Sequence, residues 1–206
     1  MALDLERLAT IPAMGGDKAA CSLYLCACGV TEGAVVECGA WLGACTLPIA
    51  CGLRDCQSMA DLVVYDRWRA TSSEVEKAAA HGVKLQPGQD ILPLFMEYAG
   101  KIYQWTRPVQ GDTMDATWDP ARKIYLYVDD CNKRPEAFHH AMATFRPAFV
   151  PGSTYLYLMD YDYWEKHSGA LRKALQCQRD YIESWPQQFR ELMKLHGTGG
   201  RVFLYC

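Results

Sequence analysis

The sequence predicts a single α/β domain with a mostly parallel central sheet and helices on both faces. Short apolar runs rich in β-branched and aromatic residues alternate with helical segments along the 206 residues. These runs are apolar throughout, which is typical of strands that helices cover on both sides. Acidic residues follow nearly every run, at the sheet edge where such folds bind their ligands.

The predicted strands are short apolar runs, most of which end at a glycine or an aspartate. The clearest of them span 34–39, 62–65, 123–128, 154–159 and 201–205. A weaker candidate spans 102–109, because Pro108 cannot donate a backbone hydrogen bond within a sheet.

The predicted helices are bounded by residues that commonly start and stop helices. They span 17–29, 43–53, 72–82, 90–101, 135–146 and 166–195. Pro135 occupies a first helical position, which proline favours, whereas Pro186 is expected to interrupt the last helix. We expect one domain over 1–206, with an N-terminal helical segment at 1–30 and an α/β core at 31–206.

The composition excludes several classes of protein. Half of the residues are hydrophobic, so the chain can bury a large core and is not disordered as a whole. The net charge is −3, which argues against nucleic acid as the main partner. No apolar run reaches the roughly 18 residues that a membrane span requires, and the first residues do not resemble a signal peptide. We therefore expect a cytoplasmic protein that does not bind membranes.

The sequence contains ten cysteines, which are expected to be free thiols in a reducing compartment. The pairs Cys26 with Cys28 and Cys51 with Cys56 lack the spacing of a structural zinc site. They lie on apolar predicted helices, where a free cysteine behaves as a small hydrophobic residue. The pattern therefore predicts that these cysteines pack in the core.

A glycine-containing loop, Glu37-Cys38-Gly39-Ala40-Trp41-Leu42-Gly43, joins the first predicted strand to a helix. Glycines at such a position allow a tight turn and a close approach to a ligand. The spacing differs from the G-x-G-x-x-G pattern of pyrophosphate binders. It suits a nucleoside that carries a positive charge and no phosphates, although a purely structural turn is an open alternative.

Asp66 ends the second predicted strand. A carboxylate at this position can accept hydrogen bonds from both hydroxyls of a ribose, as in other nucleotide-binding α/β folds. Together with the loop after the first strand, it predicts a nucleoside site.

Several segments, taken in order, resemble the class I S-adenosylmethionine-dependent methyltransferases over nearly the whole chain. VVECGAWLGACTLPIA is similar to the glycine loop of that family, VVYDRW to its ribose-binding strand, and VQGDTMDATW to the segment that meets the adenine. KIYLYVDDC and FVPGSTYLYLMDYD are similar to its fourth and fifth strands. The greatest similarity is to the macrocin-type sugar O-methyltransferases.

The resemblance implies a Rossmann-like fold and S-adenosylmethionine as cofactor. It assigns cofactor binding to Glu37, Gly39, Trp41, Gly43, Asp66, Asp112 and Thr113. It also implies that the strand at 201–205 is antiparallel, in a sheet that is one strand shorter at that edge than is usual for the family.

The resemblance further implies a general base and a divalent metal at the ends of the fourth and fifth strands. It names Asp129 as the catalytic base, and Asp129 with Asp160 as ligands of Mg²⁺. The sequence departs from the family pattern here, since Asp130 replaces a glycine and Cys131 an aspartate. Asp130 and Asp162 are expected to assist, and the alternative is that Asp129 and Asp130 only cap the next helix and line a solvated cleft.

These features predict methyl transfer from S-adenosylmethionine to a hydroxyl group of a small molecule, such as a sugar or a natural product. The alternative is a methyltransferase-like module that binds a nucleoside without transfer activity. A nicotinamide-dependent oxidoreductase is disfavoured because the pyrophosphate-binding pattern is missing. The sequence leaves the acceptor and the formation of a homo-oligomer open.

Overall fold

A central sheet organises the computed structural model, which describes residues 5–12, 17–195 and 199–206. Within these residues the sheet has seven strands. They are β1 (Ala34–Cys38), β2 (Asp61–Asp66), β3 (Thr106–Gln110), β4 (Ile124–Asp129), β5 (Tyr155–Leu158), β6 (Phe189–Lys194) and β7 (Arg201–Tyr205).

The helices connect these strands. They are α1 (Leu5–Thr10), α2 (Asp17–Cys28), α3 (Thr46–Asp55), α4 (Ser72–Ala80), α5 (Leu92–Phe95), α6 (Pro135–Phe145), α7 (Gly169–Leu175) and α8 (Cys177–Ser184). Helix α5 continues as a π-helical turn over Met96–Gly100, and short 3₁₀ turns follow at Thr113–Asp115, Arg146–Ala148 and Tyr163–Lys166. Among the described residues, no helix is long and apolar enough to span a membrane.

The strands lie in the order β3-β2-β1-β4-β5-β7-β6. Strands β1 to β5 are parallel to one another, whereas β7 is antiparallel to β5 and to β6. The predicted mostly parallel sheet is therefore confirmed, and so is the antiparallel direction of the strand at 201–205.

Strand β6 was not predicted, since the sequence pattern assigned its residues to the helix over 166–195. That prediction is wrong beyond Ser184, where α8 ends ahead of Pro186. The residues Arg190 to Lys194 have good helix propensity, but they pair with β7 at the edge of the sheet and only Phe189 is buried. Tertiary pairing thus overrides local propensity, and the sheet is not one strand short.

The core has two parts, one on each face of the sheet. Neighbouring residues of a strand point to opposite faces, so Val35 joins one hydrophobic cluster and Val36 joins the other. The first cluster includes residues of α1 to α5, and the second includes residues of α6 and α8. This arrangement explains why every residue of β1 is buried.

All ten cysteines are free thiols, but they are less buried than their surroundings in the sequence predict. Cys51 is buried in the core as expected. Cys26 and Cys28 are only half-buried, and Cys56 is exposed just beyond the end of α3. Cys26 still packs against the first hydrophobic cluster, which confirms its prediction. For Cys28 and Cys56 the prediction of core packing is wrong, because the apolar character of a segment does not specify which of its faces meets the sheet.

Asp162 anchors the antiparallel edge of the sheet to the turn after β5. Its side chain is 6% exposed, and Arg201 donates to both of its oxygens at 2.8 and 3.2 Å. Lys194 lies 3.1 Å away on the adjacent strand. Through Lys194 and Arg201, the Asp162 carboxylate joins β6 and β7 to the turn after β5.

We expect Arg201→Met to lower the free energy of unfolding by about 2 kcal/mol, because it leaves a buried carboxylate with one cation fewer. Urea denaturation measures the change. Arg190→Met on the adjacent strand is the control, since Arg190 is exposed. Equal losses for the two variants would contradict this role of Asp162.

Candidate active site

The carboxyl ends of β1, β2 and β4 surround a cavity of about 240 Å³. It lies at the edge of the sheet where the sequence places its acidic residues. Its lining includes Gly39, Trp41, Asp66, Asp112, Thr113, Met114, Asp130, Cys131, Asn132 and Lys133. The structure thus brings together five of the seven residues predicted to bind the cofactor.

Asp66 shapes the loop that follows β1. One carboxylate oxygen accepts hydrogen bonds from the backbone amides of Ala40 and Trp41 at 2.9 and 2.8 Å, and the other accepts from the amide of Trp68 at 2.7 Å. Trp41 and Trp68 both adopt a positive φ, of 48° and 42°, which is costly for residues with a side chain. The three hydrogen bonds stabilise this backbone, and the Oδ1 atom of Asp66 accepts only one of them.

The predicted glycines are required by neighbouring chain segments. Gly39 has a φ of 90°, and a Cβ atom there would lie 2.6 Å from the Cβ atom of Cys131. Gly43 has a φ of 94°, and its Cβ atom would lie 2.4 Å from that of Ala99. Gly43 therefore packs against the π-helical turn, while Gly39 allows the ends of β1 and β4 to approach each other.

Glu37 is fully buried at the carboxyl end of β1. Its Oε2 atom accepts a hydrogen bond of 2.7 Å from Thr46 at the start of α3, and its Oε1 atom has no partner. Burial raises the pKa of Glu37 to about 8; the hydrogen bond from Thr46 opposes this shift, and the carboxylates of Asp130 and Asp66 add to it. An unpartnered buried carboxylate oxygen is costly, and a cationic ligand would satisfy it.

Asp112 and Thr113 line the opposite wall of the cavity. The Oδ1 atom of Asp112 caps the short 3₁₀ turn by accepting from the amide of Met114 at 3.0 Å. The Thr113 hydroxyl donates to Asn132 at 2.8 Å. This last bond joins the loop after β3 to the loop after β4, so Thr113 fixes the width of the cavity.

Asp129 is fully buried and its hydrogen-bonding capacity is used within the protein. Its Oδ1 atom accepts from the amides of Cys131 and Asn132 at 3.3 and 2.9 Å, and its Oδ2 atom accepts from Tyr127 and from the Asn132 side chain at 3.1 and 3.0 Å. Burial raises the pKa of Asp129, and these bonds oppose the shift. Asp129 therefore stabilises the loop after β4. With all four acceptor positions of its carboxylate used, it has no lone pair left for a hydroxyl proton or a metal.

Asp130 and Asp160 meet beside the cavity, at the ends of β4 and β5. Burial and the carboxylate of Asp160 raise the pKa of Asp130, whereas the nearby Lys133 opposes that shift. The Nζ atom of Lys133 lies 2.6 Å from the Oδ2 atom of Asp160. A pair of carboxylates with one ammonium group therefore occupies the position where the sequence predicts a base and a metal.

The expected Mg²⁺ site does not fit the side chains present. Asp129 has no free lone pair, and Asp162 is held by Arg201 and Lys194. The two remaining carboxylates, Asp130 and Asp160, lie beside the Lys133 ammonium group. Within the part of the chain that the structure describes, no group of three or more His, Cys, Asp or Glu residues could hold a metal ion.

The fold is the Rossmann-like fold of class I methyltransferases, which confirms the fold predicted from the sequence. Solved structures that share it include the O-methyltransferase NovP, with a TM-score of 0.67 and 15% identity over 94% of this chain and 81% of that one. Another is CalS11, a TDP-rhamnose 3'-O-methyltransferase, with a TM-score of 0.58 and 15% identity over 90% of this chain and 76% of that one. An O-methyltransferase from Bacillus cereus, solved with S-adenosylhomocysteine, has a TM-score of 0.56 and 15% identity over 93% and 82%.

These identities establish the fold alone. No protein-family model matches the sequence, and no curated protein matches it significantly. The likeness to the methyltransferases is therefore carried by the three-dimensional arrangement.

Sequence reasoning missed Trp68, Asn132 and Lys133. Trp68 donates its indole N–H to the carbonyl oxygen of Trp41 at 3.1 Å and so supports the loop after β1. A weak signal for Lys133 was present, because it follows Asp130 by three residues in a segment otherwise rich in acidic groups. Its contact with Asp160 joins two distant strand ends, which residue spacing does not show.

We expect Asp66→Ala to lower the free energy of unfolding by about 3 kcal/mol, because each hydrogen bond to a charged group contributes about 1.5–3 kcal/mol and water replaces part of that. Asp112→Ala on the opposite wall is the matched control. It removes one exposed cap and should cost about 1 kcal/mol. Urea denaturation compares the two variants. A smaller loss of stability for Asp66→Ala than for Asp112→Ala would show that the loop keeps its conformation without the carboxylate.

Glu37 predicts a specific dependence of stability on pH. Its pKa is about 8 in the folded protein, against 4.5 as the ordinary value, so the unfolded chain binds fewer protons between these limits. The contribution of Glu37 to the free energy of unfolding is therefore present below about pH 4.5 and is lost as the pH rises to about 8. Glu37→Gln removes the titration, so its stability relative to wild type should rise with pH over this window.

Scanning calorimetry across the window measures the effect. The matched control is Glu32→Gln, because Glu32 is exposed in the turn before β1. A constant difference between wild type and Glu37→Gln would show that Glu37 is ionised in the folded state.

Proposed function

We propose that the protein is an S-adenosylmethionine-dependent methyltransferase that methylates a hydroxyl group of a small molecule. The observation that carries this proposal is the cavity at the carboxyl ends of β1 and β2, with Asp66 on its wall and the unpartnered Glu37 carboxyl group buried two residues before Gly39, which lines the cavity. The methyltransferase fold, shared with NovP and CalS11, supports the same activity.

The residues around the cavity suit the cofactor. Asp66 lines the cavity, and its Oδ1 atom can accept a further hydrogen bond from a ribose hydroxyl. Asp112 keeps one carboxylate oxygen free for the exocyclic amine of adenine. Glu37 places a buried carboxyl group near the site, which can ionise against a cationic group, and the indole N–H of Trp41 is buried without a partner. When bound, S-adenosylmethionine supplies a methyl group activated by a positively charged sulfur.

Asp130 is the residue placed to act as the general base, instead of Asp129. It is half-buried, it lines the cavity, and its raised pKa suits a group that accepts a proton near neutral pH. The protein would hold the acceptor hydroxyl against the methyl group, exclude water and take up the hydroxyl proton on Asp130.

A sugar or another polyhydroxylated natural product is the acceptor class that we propose. CalS11 is described as a methyltransferase of TDP-rhamnose, and its structure resembles this one. The ten free thiols support action in the cytoplasm, where cysteines stay reduced.

The second candidate is a nucleoside-binding module without transfer activity. Cys131 favours it, since a neutral thiol lies where the family that the sequence resembles has a carboxylate. Transfer of a labelled methyl group from S-adenosylmethionine to a fraction of small hydroxylated metabolites separates the two. Label that appears with wild type and not with Asp130→Asn supports the enzyme, whereas equal background for both supports the module.

We expect calorimetry to show saturable binding of S-adenosylhomocysteine to the wild-type protein. Asp66→Ala should weaken it at least tenfold. Asp61→Asn, at the opposite end of the same strand, should bind as wild type does because Asp61 pairs with Arg107 and Arg122 away from the cavity. No heat with the folded wild-type protein would rule out the proposed cofactor, and heat with NAD⁺ instead would favour an oxidoreductase.

A further inference from the structure

Lys133 lines the cavity of the proposed active site, in the loop after β4, and reaches the end of β5. Its Nζ atom is 2.6 Å from the Oδ2 atom of Asp160 and 5.7 Å from the centre of the Tyr163 ring. Asp130 is its second carboxylate neighbour. Burial disfavours the charged form of Lys133, but these two carboxylates outweigh burial and raise its pKa.

The backbone around Lys133 is fixed by Asp129. The Asp129 carboxylate binds the amides of Cys131 and Asn132, and the amide of Lys133 donates to the carbonyl oxygen of Cys131 at 2.9 Å. The chain therefore turns tightly after β4 and brings Lys133 back over the strand end. The loop thus fixes the backbone of Lys133, and the side chain, which is 40% exposed, reaches Asp160 from there.

The ammonium group also accounts for the charge balance at the strand ends. Two carboxylates this close repel each other unless a cation or a proton lies with them. In a metal-dependent site that cation is divalent and takes several oxygen ligands. Here Lys133 contacts the Oδ2 atom of Asp160, and Asp129 and Asp162 are bound to other groups of the protein.

We propose that Lys133 takes the place of a divalent cation in the acceptor site, and that the protein handles its acceptor hydroxyl without a bound metal. This proposal rests on the methyltransferase function proposed above. The ammonium group donates a hydrogen bond to the acceptor oxygen, and Asp130 takes the proton from that oxygen. A bond forms between the oxygen and the methyl carbon, the carbon–sulfur bond breaks, and its electron pair stays on sulfur. Lys133 remains protonated throughout and stabilises the negative charge that develops on oxygen.

The proposal predicts how the site responds to Mn²⁺, used as a probe for divalent ions. Titration followed by electron paramagnetic resonance should show no saturable binding to wild type in the millimolar range. Lys133→Met removes the ammonium group and leaves Asp130 and Asp160 open, so its affinity for Mn²⁺ should rise at least tenfold. Lys133→Arg keeps the positive charge and should behave as wild type does.

Lys166→Met is the matched control, because Lys166 also lies over the Tyr163 ring, at 5.8 Å, but is exposed. It should leave Mn²⁺ binding unchanged. Saturable binding of Mn²⁺ to wild type that Asp160→Asn abolishes would overturn the proposal. Unchanged affinity in a folded Lys133→Met protein, with its fold checked by circular dichroism, would overturn it too.

Calorimetry with S-adenosylhomocysteine on the same proteins separates this proposal from the proposed function. Wild type should bind it saturably, and this result does not depend on how the Mn²⁺ titration comes out. If wild type fails to bind it, the cofactor assignment fails, whatever the Mn²⁺ titration shows.

Discussion

The carboxylate of Asp66 is the group on which the proposed cofactor site depends. It gathers three backbone amides from two loops, those after β1 and β2. Two of these amides belong to tryptophans in the left-handed region of the backbone, where a residue with a side chain is strained. Without the Asp66 carboxylate as acceptor, nothing in these hydrogen bonds would stabilise the strained backbone of the two loops, and one wall of the cavity would be lost.

The loop after β1 is held at its two ends by different forces. Asp66 binds its middle through hydrogen bonds, while Gly39 and Gly43 allow close contact with Cys131 and Ala99. Thr46 then joins the start of α3 to the buried Glu37. The result is a rigid loop with one carboxylate oxygen unsatisfied at its base, which is the arrangement that a small cationic ligand would complete.

Charge divides the site into two halves. On the cofactor side, Glu37 and Asp66 place carboxyl groups near a proposed ligand that carries a positive sulfur. On the acceptor side, Asp130 and Asp160 share one ammonium group, that of Lys133. The half with Glu37 and Asp66 can thus receive a cationic ligand, whereas the half with Asp130 and Asp160 already contains a cation, the Lys133 ammonium group.

Much of the fold could be predicted from the sequence, because strands buried on both faces leave continuous apolar runs, as in β1, β2, β4 and β5. Strand β6 could not be predicted, since Arg190 to Lys194 favour a helix and become a strand only through pairing with β7.

The position of the candidate site could be predicted from the acidic residues at the strand ends. The roles of Asp129 and Asp130 could not be predicted in this way, because they depend on which carboxylate already accepts hydrogen bonds from donors within the protein.

The most direct measurement is a crystal structure of the wild-type protein grown with saturating S-adenosylhomocysteine. The account predicts electron density for the nucleoside in the cavity at the ends of β1 and β2, with Asp66 and Asp112 as its nearest carboxylates. An empty cavity at saturating ligand, or a nucleoside bound elsewhere on the protein, would contradict it.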